Sequence, residues 1–290
     1  MKKGITLLLV CGWLAAFTSC INATVGNGAV SFGMGKTIVG NGIFKEKEIG
    51  KLDFAEIESR GSIDVFISAS SDMPVKVSGD ENLIDYVEVK VENGVLKVQS
   101  KDGFNWTTKN PLKVIVPNNG KIRRIAASGS SDVTVESGLT ANDFALNCKG
   151  SSDFKGDITA VNCDLNMSGS SDFKGNLKAE KLKLTFSGSS DYKGNIEATE
   201  VNIDCSGSSD CLASGFAEVA KISMSGSSDF KGYDFTAKRA DCLASGSSDI
   251  QITCTDELSV RAGGSSDVYY KGDAKVVSVS TSGSSELKKR

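Results

Sequence analysis

A single tetrapeptide governs what this chain can become. Gly-Ser-Ser-Asp begins at residues 129, 150, 169, 188, 207, 226, 246 and 264, and Gly283-Ser284-Ser285-Glu286 closes the series. Successive glycines are 21, 19, 19, 19, 19, 20, 18 and 19 residues apart. A period that short and regular marks a stacked architecture, because each unit is too small to bury its own apolar face and must use its neighbours.

The unit is built of strands. In Lys181-Leu182-Lys183-Leu184-Thr185-Phe186 apolar and polar residues alternate strictly, as in a half-buried strand. Aligned on the glycine, the units give apolar columns. Two residues before it stand Ala127, Cys148, Met167, Phe186, Cys205, Met224, Ala244 and Ala262, then Thr281. Four before stand residues from Ile125 to Val279, and four after residues from Val133 to Leu287. These columns predict ladders stacked inside a tube. A second glycine six residues on (156, 175, 194, 232) predicts another bend. About 19 residues is too short for a βαβ unit or a propeller blade, and fits one coil of a parallel β-helix. The fold expected is therefore all-β, a single-stranded parallel β-helix whose eight intervals at ~4.8 Å make a rod roughly 38 Å long.

Four segments follow: 1–19 a leader, 20–48 a tether, 49–120 an irregular β cap, and 121–290 the repeat. Lys2 and Lys3 precede an apolar stretch, 5–17, too short to span a bilayer stably. Phe17-Thr18-Ser19-Cys20 is similar to the lipobox of bacterial lipoproteins, with Phe17 where Leu is usual, which implies lipidation at Cys20. An ordinary signal peptide cut near Ala23 is the alternative. Both export the protein to the cell envelope, and a lipid on Cys20 would attach it to a membrane, the outer membrane being the expected one, on its periplasmic or surface face.

Residues 21–48 are rich in Gly and Asn and read as the tether. In the cap, Gly61-Ser62-Ile63-Asp64-Val65 is a degenerate copy of the repeat phrase. Val87–Val91 and Val95–Val98 flank Glu92-Asn93-Gly94, a hairpin signal, and residues 80–86 predict one short helical turn. Phe104 and Trp106, ahead of Lys109-Asn110-Pro111, read as a loop. There Lys101, Asp102, Phe104, Trp106 and Lys109 depart most from the repeat and are the candidate ligand contacts, with packing of the two aromatics as the plainer explanation.

The carboxylates Asp132, Asp153, Asp172, Asp191, Asp210, Asp229, Asp249 and Asp267 are expected as corner residues in one row, since Asp and Ser cap turn amides beside a Gly. Like charges ~4.8 Å apart repel, and Lys155, Lys174, Lys193 and Lys231, two residues past their Asp, offer a counter-row. Calcium binding along the row is the rival, although the calcium-binding solenoid repeat has a shorter period and more glycine.

No cofactor is expected, and catalytic chemistry is narrowly bounded. The chain has no histidine, which removes Ser-His-Asp, Cys-His and His-ligated zinc sites. Carboxylates one coil apart approach the spacing of a retaining glycosidase, but they recur along the whole rod and mark no single cleft. A carbohydrate-active β-helix enzyme, with Asp102 its first suspect, therefore stays as an alternative. A net charge of −3 with no basic stripe argues against nucleic acid. Beyond Cys11 and Cys20, six cysteines (148, 163, 205, 211, 242, 254) fall on apolar columns as core residues, and Cys254 aligns with Ile158, Leu177 and Ile196. Disulfides are open to an exported protein, with Cys205–Cys211 the least implausible pair.

Five phrases together, Phe54-Ala55-Glu56-Ile57-Glu58, Gly61-Ser62-Ile63-Asp64-Val65, Gly79-Asp80-Glu81-Asn82-Leu83, Gly94-Val95-Leu96-Lys97-Val98 and the Ser-Gly-Ser-Ser-Asp coils, carry a resemblance. From residue 50 on, the chain resembles the autotransporter-adhesin head GIN domain family of Bacteroidetes envelope proteins. The resemblance implies a right-handed parallel β-helix and little about function; a long, regular, mixed-charge face without cleft chemistry suits a non-catalytic adhesin or scaffold, with glycans or surface and matrix proteins as the expected partners. The resemblance supplies no catalytic residues.

Overall fold

The computed structural model describes residues 22–26, 29–33, 36–101 and 104–290. Cys20 and Asp102 lie outside them. The described residues are all-β apart from one 3-10 turn, Ile84–Tyr86, in the place where a helical turn is predicted. Twenty-one strands form one continuous sheet wound as a parallel β-solenoid.

The repeat coils stack in register. Leu165 pairs with Leu146 on one side and Leu184 on the other, and Met167 sits between Cys148 and Phe186. The predicted columns are the core. Leu146, Leu165, Leu184 and Ile203 are fully buried, as are Phe154 and Phe173. Phe154, Phe173 and Tyr192 stack with centroids 5.1 and 5.5 Å apart, and the buried Tyr192 hydroxyl donates to the Asn195 carbonyl at 3.2 Å. At the last rung the pattern opens: Val279, paired on one side only, is 50% exposed.

Glycine is obligatory at the corner for two reasons. Each repeat glycine has positive φ, from 74° at Gly283 to 94° at Gly129. A Cβ there would also lie 2.4–2.6 Å from the carbonyl oxygen of the corner glycine one coil before. Gly61 heads the same row, in register with Gly129, so the degenerate copy is a genuine coil.

Departures from the 19-residue period are absorbed away from the corner. The 21-residue interval places its extra residues in the turn between Val135 and Leu139. The 20- and 18-residue intervals appear as register shifts at Leu212/Ser214 and at Gly232/Thr236. The second shift corrects one sequence reading: Cys254 pairs with Ala237, in the row of Ala198 and Ala217, and does not continue the row of Ile158, Leu177 and Ile196. All six cysteines are buried and free, Cys205 and Cys211 included.

The N-terminal part contains more regular structure than its sequence suggests. Glu56–Gly61 lies between Arg124–Gly129 and Val95–Ser100, parallel to both. Likewise Asp64–Ser68 lies between Val133–Val135 and Lys113–Pro117. The coil formed by 95–117 thus stacks outside the Gly61 coil, although it comes later in the chain. Beyond it the end is closed antiparallel: Val87–Glu92 on Val95–Ser100, Val75–Asp80 on Lys113–Pro117, and Phe44–Gly50 on Val75–Asp80. The predicted hairpin turns through Asn93 and Gly94, both at positive φ.

Two expectations change here. Within the segment read as a tether, Lys36–Val39 and Phe44–Gly50 are strands. The segment read as a loop contains the strand Phe104–Thr107, parallel to Lys36–Val39. Asp80 explains both. It is fully buried, and its carboxylate accepts the N–H groups of Gly42, Lys109 and Asn110 and the Asn110 amide, at 2.7–3.2 Å. Burial would push this carboxyl up, but those donors outweigh it and hold it below the usual carboxylate range.

Candidate functional site

The corner row is a double hydrogen-bond ladder. The backbone N–H of each repeat Asp donates to Oδ1 of the corner Asp one coil earlier: Asp153 to Asp132 at 3.0 Å, Asp172 to Asp153 at 2.9 Å, Asp210 to Asp191 at 2.8 Å. The ladder begins with Asp132 on Asp64 and ends with Glu286 on Asp267. The preceding Ser points the other way. It is fully buried, and the N–H of Ser152 donates to Ser171 Oγ at 3.3 Å, that of Ser171 to Ser190 Oγ at 3.1 Å. In most coils both N–H groups at the bend, which strand pairing cannot reach, are satisfied by side chains of adjacent coils, and at the last corner the buried Ser285 Oγ has no partner.

These carboxylates therefore serve the fold with one oxygen each. Lys231 reaches Asp210 at 2.5 Å and Asp229 at 3.8 Å, and Lys174 reaches Asp172 at 3.8 Å, so part of the expected counter-row forms ion pairs. At the N-terminal end burial pushes the Asp64 carboxyl up. At the other end, burial of Asp267 is outweighed by the Tyr269 hydroxyl, the Glu286 N–H and Lys288, which hold it below its usual range. Among the described residues no group of three or more Cys, Asp or Glu is placed to hold a metal ion.

Asp102 lies outside the described residues, and the other four candidate contacts near residue 104 divide between packing and solvent. Phe104 and Trp106 are half-buried on the inward face of their strand, while Asn105 and Thr107 point to solvent. Phe104 packs on Tyr86 with centroids 4.7 Å apart, and Trp106 packs against the core. Lys101 and Lys109 are exposed, and their backbone N–H groups hold Tyr86 and Asp80. Packing accounts for the two aromatics.

Sequence reasoning missed a groove of about 760 Å³ on another face. Its floor is the column six residues before the corner glycine: Phe144, Cys163, Leu182 and Val201, each 3–4% exposed. Its walls are the residues on either side, Asp143, Asn162, Lys181 and Glu200 along one and Ala145, Asp164, Lys183 and Asn202 along the other, continued by Val219 and Lys221. Because a strand alternates sides, each floor residue points inward and both neighbours point out. Every coil thus adds one pair of wall residues, and five coils span roughly 19 Å. At the N-terminal end Arg123 and Arg124 both grip Glu56, at 2.8 and 3.2 Å, and Arg123 above all holds its carboxyl below the usual range. Further along, the Asn162 amide donates to Asp143 at 2.7 Å.

The family model described as "Putative auto-transporter adhesin, head GIN domain" matches residues 53–176 and 172–274. This chain belongs to that family. The head GIN domain match covers both the coiled cap and the repeat, joined by one unbroken sheet.

Solved structures share the fold. A protein from Parabacteroides distasonis described as a "putative lipid binding protein" is 25% identical, over 88% of this chain and 100% of its own, with a TM-score of 0.67. A "putative adhesin" from the same species is 24% identical with a TM-score of 0.69, over 88% and 100% of the two chains. Another from Parabacteroides merdae is 24% identical with a TM-score of 0.68, over 88% and 99%. No curated protein matches the chain. The family's adhesin description is that of exported envelope proteins, and it assigns no catalytic activity.

Proposed function

We propose that this head GIN domain protein is a non-catalytic binding module of the cell envelope, anchored by lipid at Cys20 and presenting its rod to glycans or to surface and matrix proteins. The observation that carries this reading is the groove: a fixed row of paired, mostly polar side chains on a wall locked by ladders from coil to coil. Such a wall suits an extended ligand held by many modest contacts along its length, with little ordering cost for the protein. Catalysis would need one place where acid, base and substrate pocket meet. The chain has no histidine, and its repeated carboxylates are engaged by backbone N–H groups.

Cys20 follows a lipobox-like Phe17-Thr18-Ser19, and a lipid there would hold the rod at the outer membrane. Comparing fatty-acid labelling between wild type and Cys20→Ala tests the anchor. A glycan and matrix-protein array, run with calcium and with chelator and followed by product analysis on the same glycans, tests the module. Binding without turnover, unchanged by chelator, is expected; turnover of a bound glycan would replace the module with an enzyme.

The Parabacteroides distasonis relative described as lipid-binding favours a second reading, in which an acyl chain lies along Phe144, Leu182 and Val201. Fatty acids on the same array separate the two.

A further inference from the structure

Some lysines elsewhere on the rod have partners: Lys178 pairs with Glu197 at 3.0 Å, Lys231 with Asp210 at 2.5 Å and Lys238 with Glu218 at 2.9 Å. In the groove the arginines are likewise engaged, both on Glu56. Lys181, Lys183 and Lys221, like Lys149, Lys155 and Lys193 on other parts of the rod, are not paired in this way, and they are set apart by their place in the groove. All three are exposed, line the groove, and form no salt bridge among the described residues. Lys181 and Lys183 flank Leu182 on a single strand, so their ammonium groups rise from opposite walls over one floor residue. Lys221 stands two coils further on, on the Lys183 wall.

Resting on the binding-module reading, we infer that this groove takes a linear acidic oligosaccharide, with a carboxylate of the sugar chain seated between Lys181 and Lys183. Three features select this chemistry. The two exposed ammonium groups stand on either side of Leu182, with Asp164 in register beside Lys183 and Glu200 beside Lys181, and offer paired cationic donors to an anion that arrives with its own hydration. Wall residues on the coils to either side, Asn162, Asp164 and Asn202 among them, offer hydroxyl-binding groups at each step of ~4.8 Å, and an extended pyranose chain advances by a comparable step. The floor is apolar but barely presented, at 3–4% exposure per side chain. That is enough for the C–H face of a sugar ring, whereas an acyl chain would have to strip water from charged walls to reach it.

An acidic peptide meets the lysines less well. Its step of ~3.3 Å does not match the coil spacing, so successive side chains drift out of register with the wall pairs.

The probe is an oligogalacturonate, titrated calorimetrically into the purified chain beside its fully methyl-esterified form, an extended acidic peptide and palmitate. The variant is Lys181→Gln/Lys183→Gln, whose side chains project into solvent. The inference expects the free acid to bind, the ester to bind at least tenfold more weakly, and the double variant to lose at least tenfold affinity for the acid alone. Equal affinity for acid and ester, or an unchanged affinity in the variant, overturns it. If only the peptide or palmitate binds, and the variant loses that binding, the groove is a site but the ligand class is wrong. If none of these probes binds, the inference falls, while the binding-module reading is decided separately by the glycan and matrix-protein array.

Discussion

The carboxylate of Asp191 accepts the backbone N–H of Asp210, one coil further along the rod, at 2.8 Å. The same contact recurs from Asp64 to Asp267, so the most conspicuous residue of the repeat spends one oxygen on a backbone donor that the bend leaves without a strand partner.

Asp191→Asn keeps an oxygen where Asp191 has Oδ1, and should unfold in urea within about 0.5 kcal/mol of wild type. Asp191→Ala removes the acceptor and should cost about 0.5–1.5 kcal/mol. If both variants lose the same stability, the charge and not the hydrogen bond is what the row needs. Chelator should leave the melting temperature of the wild type unchanged.

The inward ladder is the costlier one to break. Ser190 is fully buried, and its Oγ accepts the Ser171 N–H at 3.1 Å. Ser190→Ala leaves that donor buried and unpaired, and should cost about 1–3 kcal/mol. A smaller loss than that of Asp191→Ala would reverse the assignment of inner and outer ladders.

Gly188 has φ +86°, and a Cβ there would lie 2.5 Å from the Gly169 carbonyl oxygen. Gly188→Ala should lose at least ~2 kcal/mol from backbone strain, before the displacement of the neighbouring coil is counted. Gly94 has φ +77° with nothing within 4 Å, so Gly94→Ala should lose only the backbone contribution. Comparing their urea midpoints isolates the effect of stacking.

Burial pushes the thiols of Cys148, Cys163 and Cys205 up to about 12, from an ordinary value of 9.0. A thiol raised in the native state stabilises the fold fully below its unfolded value and loses that contribution as pH climbs toward the native one. Stability should therefore fall between about pH 9 and 12, and by less in a Cys205→Ala variant measured against its own value at pH 7. Native protein should resist thiol reagents at pH 8 until urea unfolds it. Rapid labelling of Cys205 without unfolding would contradict the burial.

The sequence made the coils legible because their signal repeats: Leu146, Leu165 and Leu184 announce a column by recurrence alone. It did not tell which serine of Ser-Ser turns inward, since the two are chemically identical and only coil-to-coil geometry separates Ser189 from Ser190. The threading of the cap was hidden for another reason. Val95–Ser100 pairs with Glu56–Gly61 through a long-range contact that leaves no periodic trace. The groove left little trace either. Neither wall keeps one residue type from coil to coil, with Asp143, Asn162, Lys181 and Glu200 in one row, and only the constant apolar floor between two variable, mostly polar columns pointed to it. Cys254 was misplaced because a count from the glycine cannot see the shift at Gly232/Thr236.

On the proposed function, the groove is where this protein binds, and nothing bound there is turned over. Ala145 lies on the groove wall with a half-buried side chain, so Ala145→Trp fills the groove from outside and leaves the inward columns intact. The decisive measurement is the glycan and matrix-protein array read with wild type and Ala145→Trp side by side, with melting temperatures matched and products analysed on every positive glycan. Wild-type binding should disappear in the variant, and no glycan should be cleaved. Binding undiminished by Ala145→Trp, or cleavage of a bound glycan, would contradict it.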